Sequence, residues 1–287
     1  VHKIIYDEKT KSASEVEIID GETRQKHTFK AKIIFLCAST VPSTSILMQS
    51  TSKRFPNGLG NDSGELGHNI MDHHLSVAAS AKIENYKEKY DKGRRPGGIY
   101  IPRFRNIGGN SDSKDFIRGY GYQGGAYRTS MSEVVAELKY GPELKEAILK
   151  PGGWRIGVTG FGETLPDHNN KMYLDYDKLD EWGLPTVTFD ADFGENELAM
   201  RKDMKDQAVK MFKSAGYKDV EGYDSIDSRA MGLGIHEMGT ARMGHDPKTS
   251  VLNKYNQIHA CKNVFVTDGS FMTSSACQNP SLTYMAF

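Results

Sequence analysis

Ala31-Lys32-Ile33-Ile34-Phe35-Leu36-Cys37-Ala38-Ser39 is the stretch on which the fold turns. It is a near-continuous apolar run without alternation, which predicts a strand buried on both faces, as in a sheet covered by helices. The residues that follow, Ser43 to Gln49, read as a helix with Ser43 or Thr44 as its cap and Ile46 and Leu47 facing inward. Strand, short turn and helix in that order are the signature of an α/β chain. Upstream, Ile4 and Tyr6, then Val16 and Ile18, alternate at period two before the turn residues Asp20-Gly21 and a further run from His27 to Lys30. That pattern predicts a small antiparallel meander leading into the buried strand.

Downstream, Asn57 to Gly67 is rich in Gly, Asn and Ser and reads as a loop. From about Leu75 to residue 190 the chain changes character. Short alternating runs, Ser76 to Ile83, Gly98 to Phe104, Arg155 to Phe161, Met172 to Tyr176 and Pro185 to Phe189, are separated by Gly, Pro and Asn clusters. They predict a mostly antiparallel sheet. Met200, Met204, Ala208, Met211 and Phe212 then fall on one stripe of a helix that stops before Gly216. The expected fold class is α/β with α+β character.

Composition narrows the function classes. Across 287 residues, 37 Lys and Arg balance 37 Asp and Glu for a formal net charge of +0, so the chain lacks the basic footprint of a nucleic-acid binder. Mean hydropathy is −0.56, and no apolar run approaches the ~20 residues that a bilayer-spanning helix needs. The 3 cysteines, Cys37, Cys261 and Cys277, include no C-x-x-C pair, which argues against a disulfide framework and a cysteine-rich zinc site. The chain opens on strand-like residues with neither a start methionine nor a signal peptide, and Ser281 to Phe287 reads as the first turns of a helix. A fragment of a longer protein is expected.

Two stretches could carry chemistry. In Gly234-Ile235-His236-Glu237-Met238-Gly239-Thr240-Ala241-Arg242-Met243-Gly244, a zinc-protease reading of His236-Glu237 fails, because the second histidine it requires is Thr240. What remains is a histidine among glycines that would let backbone approach a bulky ligand. A solitary histidine is more often structural, but it is also the commonest general base. The second stretch runs from Asn263 through Asp268-Gly269-Ser270 to Ser274 and on to Asn279-Pro280-Ser281-Leu282-Thr283. A buried strand ending in Asp-Gly, a loop, and Asn-Pro opening a helix gather free N–H groups and a positive dipole end, a setting for an anion or a reduced ring. The plainer reading is an ordinary strand, loop and helix with Asn279 as N-cap.

Other groups read as bland. His68, His73 and His74 lack the cysteine or carboxylate array of a metal site, so no metal is expected. Asp175, Asp177 and Asp180 fail as a calcium loop because Asp180 stands where glycine is required. Tyr100, Phe104, Phe116, Tyr120, Tyr122 and Tyr127, interleaved with arginines, suit a core or a sheet wall better than base stacking.

The order and spacing of these stretches resemble the glucose-methanol-choline (GMC) flavoprotein oxidoreductases. The resemblance rests on His236-x-x-Gly239-Thr240, on Asn263 to Ser270, and on Asn279-Pro280-x-x-Thr283. Further matches are Cys37-Ala38-Ser39, Gly64 to His73, Glu163-Thr164-Leu165-Pro166 with Asn169-Asn170, Trp182 to Pro185, and Gly194-Glu195-Asn196. Within the family, the runs around His236 and Asn279 are similar to gluconate 2-dehydrogenase and glycoside 3-dehydrogenase large subunits.

The resemblance implies an FAD enzyme that oxidises the alcohol carbon of a sugar, sugar acid or polyol, with His236 as general base and Asn279 beside it. It implies that Asp268 and Gly269 approach the ribityl and phosphate region, that Pro280 and Ser281 offer backbone to the flavin ring, and that Ala38 lies near the adenosine half. It divides the chain into residues 1–74 as part of an FAD-binding domain, 75–230 as a substrate-binding domain, and 231–287 as a return to the FAD domain. A small-molecule alcohol substrate, a small subunit and a cytochrome or quinone acceptor are the implied partners. Two features depart from the family pattern. Ser39 stands where the family usually has glycine, and the Gly-x-Gly-x-x-Gly opening is absent from these residues, so these 287 residues alone are expected to hold FAD weakly or not at all. The rival readings are a non-redox lyase of the same family and a non-catalytic binding module.

Overall fold

The computed structural model describes residues 1–86, 88, 98–128, 141–142, 144–145, 152–225 and 231–287. In chain order the early strands are β1 (Lys3–Asp7), β2 (Ser12–Ile19), β3 (Lys26–Lys30) and β4 (Ile34–Leu36), followed by helix α1 (Thr40–Gln49). Next come β5 (Val77–Ile83), β6 (Gly98–Ile101), β7 (Tyr120–Arg128), β8 (Trp154–Gly162), β9 (Lys171–Leu179) and β10 (Pro185–Asp190). Helix α2 (Glu195–Ser214), β11 (Lys218–Asp224), β12 (Gln257–Ile258), β13 (Cys261–Val266) and helix α3 (Ser281–Ala286) complete the order. The elements form two compact units, one of Val1–His73, Glu163–Phe193 and Met231–Phe287, the other of His74–Gly162 and Gly194–Ala230. Among the described residues no helix is long and apolar enough to cross a membrane.

In the first unit β1, β2 and β3 form the antiparallel meander that the alternation predicts. β4 lies parallel to β13, with Val264 opposite Ile34 and Val266 opposite Leu36, and β12 pairs antiparallel with β13. Asn263 sews the meander to this sheet. Its amide donates to Ala13 O at 2.8 Å and Lys32 O at 3.0 Å, and its oxygen accepts Ala13 N–H at 3.0 Å. The core holds Ile34, Leu36, Ile46, Leu47, Val264 and Val266. Each such side chain contributes roughly 1.5–3 kcal/mol when fully buried.

Two expectations change here. The strand predicted over 31–39 is three residues long and covered on one face: Ile34 and Leu36 are buried, whereas Phe35 is 64% exposed. The cause is that β4 has helix α1 and the apolar cluster on one side only, and on the other Phe35 stacks on Phe265 with ring centroids 4.9 Å apart. Helix α1 begins at Thr40 rather than Ser43, and its N-cap Ser39 makes no side-chain capping bond. Ser43 sits inside the first turn, accepting Ala38 N–H at 3.0 Å and donating to the Asp268 carboxylate.

In the second unit five strands pair in the order β11-β5-β8-β7-β6, all antiparallel. Helix α2 packs on this sheet through Met200, Met204, Ala208 and Phe212, the stripe that the sequence predicts. Its start is fixed by the Glu197 carboxylate, which accepts Gly194 N–H at 3.0 Å. The aromatic cluster divides: Phe116, Tyr120 and Tyr122 are core, while Tyr100 and Tyr127 are exposed. Tyr122 donates to Met204 O and Tyr120 to the Asp203 carboxylate, each at 2.6 Å, so their hydroxyls are satisfied within the unit.

Candidate active site

Three irregular segments of the first unit are laced together by backbone bonds. Gly67 N–H donates to Thr240 O at 2.6 Å, Thr240 N–H to His68 O at 3.0 Å, and Met71 and Met238 exchange bonds at 2.9 Å each. On the other side Gly239 N–H reaches Gly269 O at 3.1 Å and Ala241 N–H reaches Ser270 O at 3.0 Å. The motif segments around Asp72, His236 and Asp268, distant in sequence, thereby become neighbours.

The glycines flanking His236 serve this lacing, and this corrects the expectation that they make room for a ligand. Gly239 has φ +87°, and a Cβ there would sit 2.0 Å from Asn69 O. A Cβ on Gly234 would lie 2.6 Å from Asp72 Oδ1. Both positions exclude a side chain because the chain packs against itself.

Asp72 organises the site. It is fully buried, and Oδ1 accepts the N–H of His73 at 2.7 Å and of His236 at 3.2 Å. Oδ2 accepts those of Gly232 at 3.1 Å and Gly234 at 2.5 Å. Burial raises its carboxyl above the ordinary range, and these four N–H groups pull the other way. Thr164 Oγ1 donates to Asp72 O at 2.5 Å. Ser275 Oγ accepts Thr164 N–H at 3.0 Å and donates to Thr164 O at 3.2 Å, which fixes the loop that carries Ala276.

On this frame the rings of His73 and His236 meet edge to face, with centroids 4.8 Å and Nδ1 atoms 2.8 Å apart. His73 Nε2 hydrogen-bonds to Ala276 O. Burial pushes the His73 imidazole down to about 4. It also lowers that of His236, with the Asp72 charge acting in the opposite sense. Asn279 Nδ2 lies 3.3 Å from His236 Nε2. Asn279 is not the helix cap that the plainer reading expected: Pro280 precedes α3, and the exposed Asn279 side chain turns to the histidine instead.

Ala38, Asp268 and Gly269 gather at the carboxyl ends of β4 and β13. Asp268 is committed to the protein, accepting from Ser43 through Oδ2 and from Ser270 N–H and Oγ through Oδ1 at 3.1 and 2.5 Å. Gly269 lies buried against Glu237 O and Thr40 Oγ1, which are themselves joined at 2.5 Å. Pro280 and Ser281 open α3. The sequence reading thus anticipates His236 and Asn279 as neighbours but misses Asp72 and the pairing of His73. Both lie in the Gly64 to His73 motif, but nothing in its residue types announces backbone contacts to residues 160 and more positions away. His68 belongs elsewhere, its ring stacked on His168 at 4.0 Å. Among the described residues no three His, Cys, Asp or Glu side chains gather as a metal site.

Residues 166–287 match the family described as GMC oxidoreductase. The chain is 31% identical over 280 residues to the 2-methyl-1,2-propanediol dehydrogenase of Mycolicibacterium austroafricanum, covering 96% of this chain and 50% of that one. It is 25% identical over 285 residues to the fructose dehydrogenase large subunit of Gluconobacter japonicus, covering 99% and 51%. The crystal structure of pyridoxine 4-oxidase from Mesorbium loti shares the fold, with a TM-score of 0.64 at 16% identity over 100% of this chain and 55% of that one. The chain spans about half the length of the curated relatives it matches.

Proposed function

The chain belongs to the GMC oxidoreductases through residues 166–287, and on that premise we propose that it takes part in FAD-dependent oxidation of an alcohol carbon, with His236 as general base. The observation that carries the reading is the His236–Asn279 contact at 3.3 Å, set on a histidine held by burial in its neutral, proton-accepting form. A polyol, sugar or sugar acid is the proposed substrate class, in keeping with relatives named for a diol and for fructose.

The residues present fit the cofactor. β4 and β13 are parallel and end together at Ala38 and Asp268, the edge where open α/β sheets bind their ligands. Helix α1 opens there, and the N–H groups of Thr40 and Val41 precede its first internal bond, from Ser43 N–H to Ser39 O at 2.9 Å. Ala38, Asp268, Gly269, Pro280 and Ser281 are the proposed cofactor contacts. Because the Asp268 carboxylate is already engaged within the protein, its role is to fix the turn, and the neighbouring backbone faces the cofactor. Residues 1–74 and 231–287 are assigned to the cofactor and 75–230 to substrate recognition.

When bound, FAD supplies the two-electron acceptor that takes the carbon's hydrogen as hydride at flavin N5. His236 Nε2 accepts the hydroxyl proton, and the C–O bond gains its second order as the C–H pair departs. Asn279 donates toward the developing alkoxide and holds its oxygen beside His236. A small subunit and a cytochrome or quinone acceptor are proposed partners, in line with the relative named as a large subunit.

Anaerobic mixing of the full-length, FAD-loaded protein with a vicinal diol, fructose or gluconate should bleach the flavin. His236→Ala should slow bleaching by roughly 10²-fold or more. Absence of bleaching with every alcohol, or unchanged rates in the variant, would refute the reading. Elimination without bleaching would identify a lyase.

A further inference from the structure

We propose that His73 is a positioning residue that decides which ring nitrogen of His236 is basic. The Nδ1 atoms of the two histidines lie 2.8 Å apart. At that distance one must carry a proton and the other a lone pair, since two N–H groups or two lone pairs would repel. The choice is made on the far side of His73. There Nε2 faces the carbonyl oxygen of Ala276, and a carbonyl can only accept, so the His73 proton resides on Nε2.

His73 is 2% exposed, and burial disfavours a second proton on its ring. Its Nδ1 therefore holds a lone pair, and the shared proton belongs to His236 Nδ1. His236 Nε2 is left as the accepting atom, and the Asn279 amide N–H, 3.3 Å away, points into that lone pair. One protonation pattern satisfies these three contacts together: Asn279 donates to His236, His236 donates to His73, and His73 donates to Ala276. The anchor of the series is rigid because Thr164 and Ser275 bond each other twice, at 3.0 and 3.2 Å, next to Ala276.

The tautomer follows from hydrogen-bond geometry together with the burial of His73. Its catalytic consequence rests on the proposed role of His236 as base: with Nδ1 protonated, Nε2 beside Asn279 is the atom able to take a hydroxyl proton. With the other tautomer that atom would carry a proton and could not.

Two variants separate the terms. In His73→Asn the side-chain oxygen can occupy the Nδ1 position and still accept from His236. In His73→Gln the amide reaches Ala276 O but places no acceptor at Nδ1. Two-bond 1H–15N spectra of the 15N-histidine-labelled chain, assigned with His236→Ala, read each ring's tautomer without flavin or substrate. Expected is a single Nδ1–H form for His236 in the parent and in His73→Asn, and a shift toward Nε2–H in His73→Gln. Turnover of the full-length, FAD-loaded enzyme carrying His73→Gln should fall roughly 10²-fold or more in kcat with KM little changed, as wrong-tautomer effects at other catalytic histidines lead one to expect. His73→Asn, which keeps an acceptor for His236 Nδ1–H, should stay within about tenfold of the parent. An Nε2–H form of His236 in the parent, or an unaltered Nδ1–H form in His73→Gln, would overturn the proposal. Loss of the tautomer without loss of turnover would leave the positioning intact and instead remove His236 as base.

Discussion

One carboxylate oxygen, Asp72 Oδ1, accepts the backbone N–H of His236 at 3.2 Å while also accepting that of His73 at 2.7 Å. The two rings that touch across the site therefore hang from backbone fixed at a common point. Because Asp72 is fully buried, water cannot replace either bond if it is lost.

Asp72→Asn keeps the shape of the side chain but converts one acceptor into a donor. Two of the four N–H groups that Asp72 now satisfies would face an N–H instead. Each orphaned buried donor costs about 1–3 kcal/mol, so the expected loss is roughly 2–6 kcal/mol. Urea unfolding of the variant measures it. A loss under about 0.5 kcal/mol, the scale of an ordinary surface substitution, would mean that Asp72 is not the anchor described.

The buried histidine gives stability a pH dependence whose sign is fixed. In the folded state His73 titrates at about 4, against its ordinary 6.5. Between these values the unfolded chain binds more protons, so stability is fully present above pH 6.5 and is lost as pH falls toward 4. The loss approaches roughly 3 kcal/mol at 1.36 kcal/mol per unit. His236, also lowered, adds in the same sense, while Asp72, whose carboxyl is raised, opposes it at the acid end. Unfolding free energies at pH 5 and 7 should converge in His73→Asn relative to the parent, and an equal pH slope in both would disprove the assignment.

What the sequence makes legible is local periodicity and motif order. The Met200 to Phe212 stripe announces α2 because one face of that helix packs on the sheet, and alternation of residue type announces β1, β2 and β5, although burial in β5 runs through the consecutive Val77, Ala78 and Ala79. β7 was not legible: Tyr120-Gly121-Tyr122-Gln123-Gly124-Gly125 carries the glycines of a loop, and its strand state comes from pairing on both edges, with β6 and β8. β4 misled for the opposite reason, since an apolar run does not reveal that Phe35 meets only Phe265. At the site His236 and Asn279 were legible through their motifs. Asp72 was not, because its role consists of backbone contacts to residues 160 and more positions away.

Ser39 is held at φ +76° and ψ 159°, a conformation that a side chain disfavours and glycine does not. Strain of this kind costs about 1–3 kcal/mol, from which the greater entropy of an unfolded glycine subtracts roughly 0.5–1 kcal/mol. Ser39→Gly is therefore expected to stabilise the chain by about 1 kcal/mol, read as a higher urea midpoint with an unchanged slope. A destabilised variant would show that the strained conformation is not retained in solution.

In the second unit Arg201 is buried with its guanidinium on Asp224 Oδ1 at 2.5 Å through Nη2 and 3.1 Å through Nε, and on the O of Leu75, two residues before β5, at 3.2 Å. The Arg201 side chain is 2% accessible and that of Asp224 24%. Removing Asp224 alone takes the carboxylate away from a cation that cannot reach water, whereas removing both groups leaves only the Leu75 carbonyl to find another donor. Asp224→Ala is expected to cost about 3 kcal/mol, at the low end of the range for broken buried pairs because Asp224 is partly solvated. Arg201→Met combined with Asp224→Ala should cost less than Asp224→Ala alone, since methionine keeps much of the arginine stem's apolar bulk without a charge. A double-mutant cycle by urea unfolding decides the point: additive losses would mean that the two groups act independently.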